Sequence, residues 1–234
     1  MAKNVIELYY DCVSPYSWIA FEALNRYVQI MPFELKLKPF LIGGVMRHAG
    51  NTPPALVCPQ KAVYMTAELP ILAKYWNIPL NQPEVRGTHA SNEHFVQNFV
   101  SGAMKHGTMK AQRFLTAIQL NSPQYLVPAS RELFARVWST DQPVHEVAHL
   151  REVAAKIGLP TAENIIGAIE SPRVKDTLKA RTQSAIELGA FGAPWIVVKR
   201  PGEADICLFG SDRMHVIADL LGAPFPGPAV QSKL

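Results

Sequence analysis

The sequence has no Cys-x-x-Cys pair. Its three cysteines, Cys12, Cys58 and Cys207, lie far apart, and an odd count argues against a disulfide framework. The missing dithiol argues against a disulfide oxidoreductase that works through its own sulfur. Histidine and cysteine never meet at metal-ligand spacing, so no metal is expected. His145 and His149 stand four apart and read as two residues on a solvated helix face. No apolar run approaches the roughly 20 residues that a bilayer span needs. Charged residues make up only 18% of the chain, and the net charge of +4 comes from scattered Lys and Arg, with pairs such as Lys199-Arg200 as the densest spots. A nucleic-acid binder gathers such residues on one face or in a run, so no nucleic acid is expected as a partner. Only Met1-Ala2-Lys3-Asn4 precede the first strand pattern, which leaves no room for a signal peptide or an Arg-rich presequence.

What remains is an ordinary globular composition: 234 residues, 48% of them hydrophobic. That is enough for one large domain or two small ones. Residues 5–10, VIELYY, read as a strand rich in β-branched and aromatic side chains. Ser14-Pro15 then starts a helix, because Ser caps well and Pro suits the first helical position. The helical pattern runs to about Ile30. Residues 33–38, FELKLK, alternate as a half-buried strand does.

From 60 to about 189 the apolar spacing is helical throughout, with Asn, Ser, Pro or Gly between segments. Pro70 predicts a kink or a break inside the first of these segments. No fixed-period repeat is present. After Gly189 the pattern returns to strands at 195–198 and 206–209, joined by a hairpin-length loop, and closes with a helix that ends on Gly222. A βαβ start and a ββα finish around a helical insert predict an α/β fold: a thioredoxin-like domain carrying an inserted all-helical domain. The boundaries read as 1–59 and 178–222 for the thioredoxin-like part, 60–177 for the insert and 223–234 for a flexible tail. The tail is rich in Pro and Gly and ends Ser232-Lys233-Leu234, a receptor-read peroxisomal address.

Three places could carry chemistry. Ser14 heads the first helix, where a hydroxyl and a helix N-terminus favour an anion. Its bland alternative is a plain N-cap. Gly210-Ser211-Asp212-Arg213 heads the last helix, and again a cap would account for it. Phe191-Gly192-Ala193-Pro194-Trp195 places a proline just before a strand, the setting of a cis proline whose preceding residue offers its N–H and C=O to an extended peptide. Together they suit one ligand: a short peptide with a thiol, a free amine and free carboxylates. The thiol would lie at Ser14, the amine at Asp212 and a carboxylate at Lys61 or Asn51. A thiol of pKa ~8.5 needs a shift of ~2 units, roughly 3 kcal/mol, to become mostly thiolate at neutral pH, within reach of a helix dipole and a charge-assisted hydrogen bond.

The segments SPYSW (14–18), GNTPP (50–54), RFLTA (113–117), ASRELFARVWS (129–139), GAFGAP (189–194) and LFGSDR (208–213) resemble the kappa-class glutathione transferases, in order and spacing, from about residue 5 to 222. The resemblance implies a DsbA-like fold, a homodimer, and glutathione as cosubstrate with no metal. By position, Ser14 matches the serine that hydrogen-bonds the glutathione sulfur, and Pro15 and Tyr16 line the same pocket. Asn51 and Lys61 match glutathione contacts. Ala193, where the family carries leucine, precedes the cis-proline position Pro194 and pairs with the cysteinyl backbone. Ser211 and Asp212 match the pair that holds the γ-glutamyl end. The family occurs in peroxisomes and mitochondria, and the terminal Ser-Lys-Leu favours the peroxisome and its import receptor. The implied activity is conjugation of glutathione to small electrophiles, with thiol-dependent peroxide reduction beside it. A glutathione-dependent isomerase of the 2-hydroxychromene-2-carboxylate type and a glutathione- or peptide-binding chaperone-like module stand as alternatives. The electrophile pocket is expected along residues 42–47 and 92–115, and Cys12 as a buried, inert thiol.

Overall fold

A computed structural model describes residues 3–80 and 106–228. Strand β1 (Asn4–Tyr10) leads into helix α1 (Pro15–Tyr27), which returns the chain to β2 (Phe33–Pro39). Two short helices, α2 (Ile42–His48) and α3 (Pro54–Val57), precede α4 (Pro59–Trp76). Then come α5 (Met109–Asn121), a 3-10 turn at Pro123–Tyr125, α6 (Leu126–Trp138), α7 (Val147–Lys156), α8 (Ala162–Ala168) and α9 (Pro172–Glu187). The chain ends on β3 (Trp195–Lys199), β4 (Ile206–Phe209) and α10 (Met214–Leu220).

The sheet order is β2-β1-β3-β4. β1 runs parallel to β2, with Val5 opposite Glu34 and Tyr10 opposite Pro39. β3 runs antiparallel to both β1 and β4. Both faces of the sheet are covered, and the two-residue period of the strands sorts the side chains between them. Ile6, Leu8 and Tyr10 of β1 and Ile196 and Val198 of β3 join one large core with α1 and the inserted helices. Tyr9, Trp195 and Val197 face the other way, against Phe40, Val45, Ala185 and Ala190.

Helix α1 forms where the sequence places it. Ser14 has an extended backbone, Pro15 occupies the first helical position, and the Ser14 hydroxyl accepts from the Ser17 N–H. Its inner face buries Trp18, Phe21 and Leu24. Trp18 stacks flat on Phe134 of α6 at 5.8 Å between centroids. Beside that stack the Glu22 carboxylate accepts two bonds from Arg131, at 2.7 and 3.0 Å, and one from the Trp18 indole N–H at 3.3 Å. The pair is bidentate and mostly withdrawn from water, a geometry that fixes α6 on α1.

Four details depart from the sequence reading. Helix α4 continues through Pro70 without a break, held by Leu69, Ala73 and Trp76 buried beneath it. The boundary at 177/178 falls inside α9, a single helix that packs on α2 and β2 as well as on α5. The tail at 223–228 is anchored: the Tyr27 hydroxyl donates to the Gly227 carbonyl at 2.7 Å, and Phe225 meets the Tyr27 ring edge-on. His145 precedes α7 rather than lying on it, stacks on His106 at 4.1 Å and meets His149 edge-on at 5.1 Å. His149 Nδ1 accepts from the Glu146 N–H, so it caps α7 instead of merely facing water. Ser232-Lys233-Leu234 and the helical pattern at 91–105, including part of the expected electrophile pocket, lie outside the described residues.

Candidate active site

The site forms where β1 and β3 hand over to the segments beside them. Ser14 is only 6% exposed. Its N–H donates to the Asp11 carbonyl at 3.0 Å, its hydroxyl oxygen accepts the Ser17 N–H at 3.1 Å, and its hydroxyl proton goes to the Ala193 carbonyl at 3.1 Å. The Ala193–Pro194 peptide bond is cis, in keeping with the sequence pattern. The Ala193 N–H donates no backbone hydrogen bond among the described residues. A ligand at Ser14 therefore meets three kinds of group at once: the N-terminal end of a 13-residue helix, whose Tyr16 N–H is open, a hydroxyl, and the Ala193 N–H.

The other expected residues converge on the same point, with one exception. The Asn51 side-chain amide donates to the Phe191 carbonyl at 2.8 Å, two residues before Ala193. The Gly210 N–H donates to the Pro194 carbonyl at 3.1 Å and brings Ser211 and Asp212 alongside. Gly210 has φ +95°, and a Cβ there would lie 2.7 Å from Asp212 Oδ1, so glycine is required for this turn. Ser211 is buried. The Asp212 carboxylate is exposed and pairs with Arg213, in a turn rather than on a helix end. The last helix begins only at Met214 and is seven residues long, so the expected helix-start anion site at 210–213 is not formed. Lys61 is exposed on α4, two turns or about 10 Å from Glu68 on the same side of the helix, and no described contact ties it to Ser14.

Tyr16 follows Ser14 in the first turn of α1, and its hydroxyl is engaged. It donates to Glu68 Oε2 at 2.6 Å, while the exposed Tyr64 hydroxyl donates to Glu68 Oε1 at 3.0 Å. Burial, then the Glu68 carboxylate, pushes the Tyr16 phenol far up, so it stays protonated at any physiological pH. Asp212 acts on it in the same direction, which places Tyr16 and Asp212 within electrostatic reach of each other.

Sequence reasoning missed Asp11. The side chain is fully buried, yet its carboxylate accepts four donors. Oδ1 takes the Val13 N–H at 3.2 Å and the Gln112 amide at 3.0 Å. Oδ2 takes the Ile42 N–H at 3.1 Å and the Thr108 hydroxyl at 2.9 Å. One side chain thus ties the Ser14 loop to the start of α2 and to the head of α5. Burial raises its pKa, and the four hydrogen bonds oppose that rise. The adjacent Cys12 is fully buried, its thiol pushed well up by burial and then by Asp11, and its carbonyl accepts the Trp138 indole N–H at 3.0 Å. A protonated thiol in that position is inert, as the sequence suggested. Among the described residues no group of His, Cys, Asp and Glu could hold a metal ion, and no helix is long and apolar enough to cross a membrane.

The family pattern of the DSBA-like thioredoxin domain matches residues 5–222. Glutathione S-transferase kappa 1 from Homo sapiens is 40% identical over 236 residues, covering 99% of this chain and 98% of that one. Its counterpart from Rattus norvegicus is 39% identical over 229 residues, covering 97% and 95%. The chain belongs to the kappa-class glutathione transferases of the DsbA-like thioredoxin family. Among solved structures, a 2-hydroxychromene-2-carboxylate isomerase matches with a TM-score of 0.69 and 19% identity, covering 93% of this chain and 94% of that one. That likeness speaks for the fold. The family carries a thioredoxin-like sheet with inserted helices, which is the architecture found here.

Proposed function

We propose that the protein is a glutathione transferase that holds the glutathione thiol at Ser14 as a thiolate and directs it at small electrophiles. One observation carries the reading. The Ser14 hydroxyl stands at the head of α1 and touches the Ala193 carbonyl, where a cysteinyl peptide would lie. A sulfur placed there lies at the positive end of the α1 dipole and near a hydroxyl donor, and both favour the anion. Lowering the thiol pKa by ~2 units takes roughly 3 kcal/mol. Deprotonation releases the proton to solvent. The thiolate then forms a bond to the electrophilic carbon, and the leaving group departs with its bonding pair. Asp212 and Ser211 would hold the amine and carboxylate of the γ-glutamyl end, and Asn51 and Lys61 the glycyl carboxylate. Pro15 and Tyr16 would wall the sulfur pocket. Peroxide reduction by the same thiolate, a homodimeric state and peroxisomal residence through Ser232-Lys233-Leu234 belong to the same reading.

The test compares conjugation of glutathione to an activated aryl halide by the wild type and by Ser14→Ala. A wild-type rate that drops at least tenfold in the variant supports the reading. Equal rates would remove Ser14 from thiol activation. Glutathione binding without any wild-type rate would favour an isomerase or binding module instead.

A further inference from the structure

The Ser14 hydroxyl has one proton, and the protein already uses it. The hydroxyl donates it to the Ala193 carbonyl, while the oxygen's lone pair accepts the Ser17 N–H. Ser14 is 6% exposed and Ala193 8%, so neither group is freely hydrated. A buried carbonyl left without a donor is costly. The hydroxyl therefore cannot turn to a ligand sulfur unless another donor replaces it on Ala193. The natural replacement is an N–H of the ligand's own backbone, next to its thiol.

We propose that thiol activation is conditional on this exchange: a ligand amide N–H takes over the Ala193 carbonyl, and only then does the Ser14 hydroxyl rotate to the sulfur. The rotation keeps the helix cap, because the Ser17 N–H binds a lone pair and not the proton. The exchange makes Ser14 selective as well as activating. A thiol carried on an amide chain releases the hydroxyl and is ionised, its proton passing to solvent. A thiol without a neighbouring N–H leaves the hydroxyl on Ala193 and stays protonated. The site thus discriminates cysteinyl peptides from simple thiols at the ionisation step, beyond whatever the ligand's end groups contribute to affinity. This rests on the reading that the thiol lies at Ser14.

The test uses a glutathione analogue in which an ester oxygen replaces the cysteinyl N–H, matching glutathione in size. The bound thiol is titrated by thiolate absorbance in the ultraviolet at saturating ligand. The expected result is a bound glutathione thiol shifted down by about 2 units and an analogue thiol shifted by less than half of that. A downward shift as large for the analogue would overturn the exchange while leaving Ser14 as the activating group. No shift for either ligand would overturn both. A second measurement needs no ionisation. S-methylglutathione keeps the amide but offers the displaced hydroxyl only a weak acceptor. Its binding to Ser14→Ala should be equal to or up to about tenfold tighter than to the wild type, because no hydroxyl is displaced, whereas glutathione should bind the variant more weakly. Weakening of both ligands by the same factor would overturn the exchange.

Discussion

Asp11→Asn is the substitution whose cost follows most directly from the geometry. The native carboxylate accepts four donors from four residues, Val13, Thr108 and Gln112 buried and Ile42 half-buried around it. Asparagine has the same shape but only one acceptor oxygen. If that oxygen keeps the Val13 and Gln112 donors, the new NH2 group faces the Ile42 N–H and the Thr108 hydroxyl. Thr108 can turn and accept. The Ile42 N–H cannot, and a buried donor without a partner costs about 1–3 kcal/mol. Replacing charged by neutral hydrogen bonds adds about 1 kcal/mol, so the expected loss is roughly 2–4 kcal/mol out of a typical 5–15. For a chain of this length that corresponds to a fall in Tm of about 5–15 °C. Urea unfolding followed by tryptophan fluorescence measures it. The titration has a definite sign as well. Burial raises the folded pKa of Asp11 above its unfolded value. Its contribution is then fully present below about pH 4 and is lost as pH rises through the folded value, whereas asparagine does not titrate. The wild type's advantage over Asp11→Asn should widen as pH falls from 7 towards 4. A stability loss below about 1 kcal/mol would refute the account of Asp11 as a four-donor tie, and a gap that narrows on acidification would show the four donors outweighing burial, against the upward shift of its pKa.

Gly210→Ala should destabilise the fold by about 1–2 kcal/mol and push Asp212 aside, because the positive φ and the 2.7 Å approach to Oδ1 leave no room for a methyl group. Calorimetry should find weaker glutathione binding, and unchanged binding would detach Asp212 from the site. Of the three free thiols, Cys12 should stay silent towards a disulfide reagent in the native protein and react only after denaturation, as its burial and raised pKa require. Three rapidly reacting thiols without denaturant would contradict that.

The parts of the molecule legible in the sequence are those decided by neighbours in the chain. Ser14 and Pro15 set the start of α1 through one turn of backbone, and VIELYY and WIVV show their strands by composition. Pro70 misled, because local propensity charges a full penalty to a proline that burial of Leu69, Ala73 and Trp76 then offsets. The short helices α2 and α3 carry too few residues for a periodic signal, and α2 begins on Ile42-Gly43-Gly44. The site followed the same division. Ser14, Ala193, Pro194, Ser211 and Asp212 stood out by motif and resemblance. Asp11 did not, because its meaning depends on Thr108 and Gln112, 97 and 101 residues away. The tie between Tyr16 and Glu68 likewise spans 52 positions. No local pattern encodes such pairs.

The sheet order carries a consequence for biosynthesis. Strand β1 is made long before β3, and one of its flanks is closed by β2 almost at once. Its other flank pairs with 195–199. At about 5–20 residues per second the ribosome delivers that partner only after about 10–40 s. Throughout that interval a strand of apolar and aromatic residues keeps an open edge, the kind of surface on which nascent chains aggregate. The helices made in between can cover its face but not its edge. A chain released before residue 195 has no means of its own to close the sheet, so residues 195–199 decide whether 4–10 are safely folded.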